Sequence, residues 1–144
     1  MALQERSFLL ALQELITTFG RLSPGITFRF ETTGTPPPIE AEVATQLYHI
    51  VQEALSNASK HSGARAVSVF LTSASNGVVV AVEDDGVGLP QNADHKGGMG
   101  LGNMKHRARL IGGTLALEGG ARAGTRVTVS LRNDEARGEG EAPE

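Results

Sequence analysis

The sequence predicts an α+β two-layer sandwich in which helices cover one face of a mixed, largely antiparallel sheet. Two observations carry this. The helical periods are segregated toward the amino-terminal half, and the strand-like alternations that follow are joined mostly by short glycine-containing turns. A doubly wound parallel sheet would need more regular alternation of strand and helix.

The elements follow in order. Leu9, Leu12, Leu15, Ile16 and Phe19 recur near helical spacing and predict an amphipathic helix from Leu3 to Phe19, ended by Gly20. Ile26, Phe28 and Phe30 alternate with other residues as a strand, closed by Gly34 and the run Pro36, Pro37, Pro38, which separates this first unit from a second helix. That helix is predicted over Ile39 to His61, because Leu47, Ile50, Val51, Ala54, Leu55 and Ala58 form one apolar stripe. Val67, Val69, Leu71 and Val78, Val80, Val82 then read as a hairpin turning at Asn76 and Gly77. From Leu89 to Gly100 no period of either kind holds, so a mobile loop is predicted there. A short helix, Leu101 to Ile111, is closed by Gly112 and Gly113, and strands around Leu115 to Leu117 and Val127 to Leu131 complete the sheet. One domain is expected over residues 1–132, followed by a disordered tail over 133–144, rich in Glu, Gly, Arg and Ala without apolar period.

Composition narrows the function classes. Sixteen acidic against thirteen basic residues give a net charge of -3, which argues against nucleic-acid binding. There is no cysteine, hence no disulfide framework and no thiolate metal site, in keeping with a cytoplasmic setting. No apolar run reaches the roughly 18 residues of a membrane-spanning helix. Glycine is the outlier, 18 of 144 residues, against a usual share of about 7%.

Those glycines gather near the residues able to do chemistry. Glu53 and Asn57 are four apart on the second helix and therefore stand one turn apart on the same side. The Asn57 amide oxygen is a hard neutral donor suited to Mg2+, and Glu53 suits orienting or deprotonating a nucleophile, or holding a metal-bound water. Lys60 and His61 follow one turn on, where cations would meet phosphates. At the end of a strong strand stand Asp84, Asp85, Gly86, Val87 and Gly88. A buried carboxylate there can accept a hydrogen bond from an exocyclic amine such as adenine N6, although an Asp-Gly pair after a strand also makes an ordinary turn. Gly97, Gly98, Gly100 and Gly102 lead into a helix whose first N–H groups could receive a phosphate. A P-loop, a complete dinucleotide fingerprint, His-Glu-x-x-His and Gly-x-Ser-x-Gly are all missing.

In combination and in this order, the motifs resemble the ATP-binding domain of sensor histidine kinases, within the gyrase, Hsp90, histidine kinase and MutL superfamily. Leu47 to His61 resembles the N box, Val82 to Gly88 the first glycine box, Gly98 to Ala108 the second, and Gly124-Thr-Arg-Val the closing strand. The wording Gln-Glu-Ala-Leu-Ser-Asn and Gly-Leu-Gly-Asn-Met-Lys-His-Arg-Ala is most similar to the nitrate-sensor, DesK-like and LiaS-like subfamily. The resemblance implies a Bergerat-type fold that binds ATP and Mg2+. It implies that Asn57 holds the metal, Glu53 assists the metal or the transfer, and Lys60 and His61 face phosphates. Asp85 would bind adenine N6, Gly86 and Gly88 would shape that pocket, and Thr125 would lend a hydroxyl. Residues 89–100 would form an ATP lid that closes on Mg-ATP, with Gly98, Gly100 and Leu101 at its phosphate-side end.

One departure matters. Nothing between Met1 and Pro38 resembles the family's phospho-accepting segment, and His49, His61, His95 and His106 all fall within or beside the ATP motifs. The expectation is a catalytic domain without its dimerising, phospho-accepting domain, either excised from a longer kinase that a membrane sensor could anchor or standing alone. It would be monomeric and weak or inactive in autophosphorylation by itself, with a response regulator downstream of the full protein. Two alternatives stand beside it: a serine kinase of the anti-sigma-factor type, and a non-catalytic nucleotide-sensing module.

Overall fold

A computed structural model describes residues 3–35, 38–61, 63–87, 100–119, 124–136 and 138, without the side chains of residues 3–7 and His61. Helix α1 spans Leu3–Leu22, β1 Thr27–Thr33, α2 Ala41–His61, β2 Ala66–Ala74 and β3 Gly77–Asp84. Helix α3 spans Leu101–Leu110, β4 Thr114–Gly119, β5 Thr125–Arg132 and α4 Asn133–Ala136. The five strands form one sheet in the order β1-β2-β3-β5-β4. Only the β1–β2 pair is parallel, because α2 crosses over between them, whereas β2–β3, β3–β5 and β4–β5 are antiparallel. This is the predicted α+β sandwich, and β1 belongs to the same sheet as the rest rather than to a separate unit.

Alternation decides which face is covered. Val67, Val69 and Leu71 of β2, Val78, Val80 and Val82 of β3, and Val127, Val129 and Leu131 of β5 turn to the helices, where they pack with Leu12, Leu47, Leu55 and Met104. The opposite face carries Phe70 beneath the Arg126 guanidinium, 5.6 Å from the ring centroid, and Arg126 is ion-paired with Glu83 at 3.1 Å.

Three boundaries differ from those predicted. Helix α1 continues through Gly20 to Leu22, held by Phe19 against Phe28 at 6.3 Å between ring centroids and by the Ser23 N–H donated to the Phe19 carbonyl. Helix α2 begins at Ala41, not Ile39, because Glu40 caps it. The Glu40 Oε1 accepts the Glu42 N–H at 3.1 Å while its carbonyl accepts the Ala44 N–H, and Ile39 is buried just outside the helix.

The third difference is at the carboxyl end. Residues 133–136, predicted to begin a disordered tail, form the helical turn α4. Asn133 Nδ2 donates to the Ser75 carbonyl at 2.9 Å, the Glu40 N–H donates to the Ala136 carbonyl at 2.9 Å, and Ala136 is fully buried. The segment straps the β2–β3 turn to the start of α2. Residues 137 and 139–144 of the expected tail lie outside the described residues.

Candidate functional site

The candidate residues converge on one end of the sandwich. There α2 finishes, β2 begins at Ala66, β3 ends at Asp84 and β5 begins at Thr125. The register pairs Val67 with Asp84 and Asp84 with Thr125, so the ends of β2, β3 and β5 lie side by side.

The two neighbouring aspartates occupy different environments. Asp84 continues the inward alternation of Val78, Val80 and Val82 and is 9% exposed. Its Oδ1 accepts the Gly86 N–H at 2.8 Å. Burial raises its pKa above the ordinary 3.8, against the lowering effect of backbone N–H groups from Gly86 and Thr125, and the negative charges of Asp85 and Glu83 add to the rise. Asp85 lies past the strand and is half-buried. Its Oδ1 accepts N–H groups from Arg65 at 2.9 Å and Ala66 at 3.0 Å, and its own N–H donates to the Ala66 carbonyl. Asp85 thus extends the β2–β3 ladder with its side chain, and the buried carboxylate at this corner is the one on Asp84.

Gly124 makes this corner possible. A Cβ there would come within 2.9 Å of the Asp85 Cα and would collide with the Asp84 carbonyl. Only a residue without a side chain lets β5 start so near the end of β3. Thr125 contributes a backbone N–H to Asp84.

The second group belongs to α2 and α3. Glu53 and Asn57 are half-buried, one turn apart, and Lys60 is exposed one turn later. Gly100 adopts a left-handed φ of 75° as the first cap of α3 and, having no side chain, makes no side-chain cap hydrogen bond there. A Cβ on Gly100 would collide with the Glu53 carboxylate, so Glu53 lies directly against the amino terminus of α3. The first turn of α3 holds no acidic residue, and Arg107 and Arg109 stand in its last turn. The Leu101 side chain is buried in the core, which leaves its backbone N–H as the group available to a ligand.

Glu53, Asn57, Lys60, Asp85, Gly86, Gly100, Leu101 and Thr125 therefore lie on elements that meet at this end. His61 ends α2, its side chain undescribed, and Gly88, Gly98 and the expected lid over 89–99 lie outside the described residues. Two open clefts of about 490 and 530 Å3 sit elsewhere, around Gly112, Arg132 and Glu135 beside α4. The period of two through Val78, Val80 and Val82 directs Asp84, rather than Asp85, to the covered face.

Residues 42–135 match the family described as Histidine kinase-, DNA gyrase B-, and HSP90-like ATPase. The chain is 36% identical over 108 residues to the oxygen sensor histidine kinase NreB of Staphylococcus carnosus, covering 74% of this chain and 31% of that protein. It is 37% identical over 105 residues to the sensor histidine kinase ComP of Bacillus subtilis, covering 72% of this chain and 14% of that protein. The chain thus spans a third or less of the length of these relatives. Among solved structures, the ATP-binding domain of PrrB from Mycobacterium tuberculosis superposes with a TM-score of 0.68 at 26% identity, covering 85% of this chain and 90% of that one. The chain belongs to the histidine kinase-, gyrase B- and HSP90-like ATPase family, as an ATP-binding domain of the sensor-histidine-kinase kind.

Proposed function

We propose that this chain is the catalytic domain of a two-component sensor histidine kinase, which binds Mg-ATP and transfers the γ-phosphoryl group to a histidine on a separate dimerisation domain. The observation that carries the reading is the buried Asp84 carboxylate, held by backbone N–H groups at the end of β3, where the charges acting on it from the described residues are the negative ones of Asp85 and Glu83. A buried carboxylate of raised pKa without a cationic partner is a functional-site signature, and an exocyclic amine supplies the donor it lacks. In this reading Asp84 takes adenine N6, while Asp85 holds the chain around it in place.

The phosphates extend from this corner toward the uncapped amino terminus of α3, whose N–H groups and dipole favour anions. Lys60 adds positive charge from the end of α2, and His61 follows it in sequence. The Asn57 oxygen and the neighbouring Glu53 carboxylate fit a magnesium ion, which prefers few protein oxygens and keeps its waters and phosphate ligands. When bound, the metal neutralises phosphate charge. Glu53 accepts the proton of the attacking imidazole as its nitrogen bonds to the γ-phosphorus and ADP departs. Transfer of this kind depends chiefly on positioning and electrostatics. Gly86 leaves room for the base. A response regulator receives the phosphoryl group from the full protein.

Calorimetric titration of ATP with and without Mg2+, with GTP as control, tests the reading. Saturable ATP binding that ignores GTP, followed by phosphorylation of a separately supplied acceptor domain, is the expected result. Binding without transfer to any supplied acceptor would favour a nucleotide-sensing module, and transfer to serine would favour the anti-sigma-factor type. In sedimentation the isolated chain should run as a monomer.

A further inference from the structure

Gln46 is buried on α2 at 8% exposure, and its amide bridges opposite charges. Its Oε1 accepts from Arg107 Nη1 at 2.9 Å, while its Nε2 donates to Glu42 Oε1 at 3.1 Å. Arg107 is half-buried on α3. Gln46 precedes Glu53 by seven residues, and Gly100 precedes Arg107 by seven. Since Glu53 lies against Gly100 and Gln46 against Arg107, the two helices run antiparallel with matched spacing, roughly two turns or 10 Å between contacts.

Between those contacts the seam is apolar. Leu101 and Met104 are the buried α3 residues there, and Ala108 is buried just past Arg107. Apolar contacts are non-directional and tolerate sliding along the helix axis, whereas a charge-assisted hydrogen bond fixes both distance and direction. A ten-residue helix without a side-chain cap has little stability of its own, so its axial position depends on what ties it to α2.

We infer that Arg107 is a positioning residue for the phosphate end of the nucleotide site: through Gln46 it sets the register of α3 on α2, and so the placement of Gly100 and the first α3 N–H groups beside Glu53. The inference rests on the ATP reading and adds to it the residue that holds the phosphate-binding end in register. It predicts a selective defect. Adenine anchoring at Asp84 is remote from the tie, so adenosine should bind normally while ATP binds poorly.

The experiment compares wild type, Arg107→Met, Gln46→Met and the double variant, measuring dissociation constants for Mg-ATP and adenosine together with thermal unfolding. Each single variant should weaken Mg-ATP about tenfold, as expected for losing one hydrogen bond to a charged group, with adenosine affinity changed less than about twofold. The double variant should lose no more than either single one, because both remove the same tie. Arg107→Lys, which keeps a donor, should recover part of the ATP affinity. A purely structural role would weaken both ligands equally in step with the fall in melting temperature, and that result overturns the inference, as does unchanged ATP affinity in a folded variant. If Arg107→Met does not fold, Gln46→Met and Arg107→Lys carry the same comparison. Wild type that binds neither ligand overturns the ATP reading and the inference together, whereas wild type that binds ATP beside indifferent variants overturns the inference alone.

Discussion

At the scale of single residues, Asp84 and Asp85 are identical side chains in different surroundings, one buried under the helices and one bonded to the start of β2. Replacing Asp84 with Asn keeps a carbonyl oxygen for the Gly86 N–H but removes the negative charge that the proposed function aims at adenine. ATP should bind about 10–100-fold more weakly by calorimetry, the range for one charge-assisted bond in a buried site. Asp85→Asn should bind nearly as wild type, since an amide oxygen can still accept from Arg65 and Ala66, whereas Asp85→Ala loses both bonds and should lower thermal stability.

The raised pKa of Asp84 also makes a pH prediction. An acid whose pKa is higher in the folded state favours folding in its protonated form, so its ionisation costs stability at neutral pH. That cost is present above the raised folded pKa and disappears as the pH falls through it toward the unfolded value near 3.8. Asp84→Asn should therefore melt higher than wild type at neutral pH, with the gap closing in acid. Equal melting temperatures at neutral pH would contradict this. Such a gain beside lost binding is the usual trade of a functional site.

At the scale of elements, the entry to α3 is governed by Gly100. Alanine there meets both a left-handed backbone and the Glu53 carboxylate. Gly100→Ala should destabilise the fold by about 1–3 kcal/mol and reduce ATP affinity, measured by urea unfolding and titration. A wild-type-like variant would mean that Glu53 moves away freely. The N box helix was legible from its apolar stripe because burial of α2 follows the 3.6-residue period. Its first residue was not, because Glu40 caps the helix from outside that stripe. Glu53 and Asn57 were legible as a pair from their spacing. Their opposition to Gly100 required α3 to fold back across the seam, over a separation of 47 residues between Glu53 and Gly100 that no local pattern spans.

At the scale of the molecule, α4 closes the end of the sandwich away from the site. Truncation after Arg132 removes buried Ala136 with its bond to Glu40 and the Asn133 bond to Ser75. Urea unfolding should register a loss of roughly 2–4 kcal/mol, far more than a solvated tail could cost. By itself, the sequence determined the class of fold, the order of its strands along the chain, the covered face of each strand and the family, because these depend on period, turn chemistry and ordered motifs. Only the tertiary structure decided that Asp85 ties the end of β3 to Arg65 and Ala66, that residues 133–136 pack as a strap, and that Gln46 and Arg107 meet. Each of these depends on chain segments distant in sequence arriving at one place, where burial and hydrogen bonding, rather than local propensity, assign the role of a side chain.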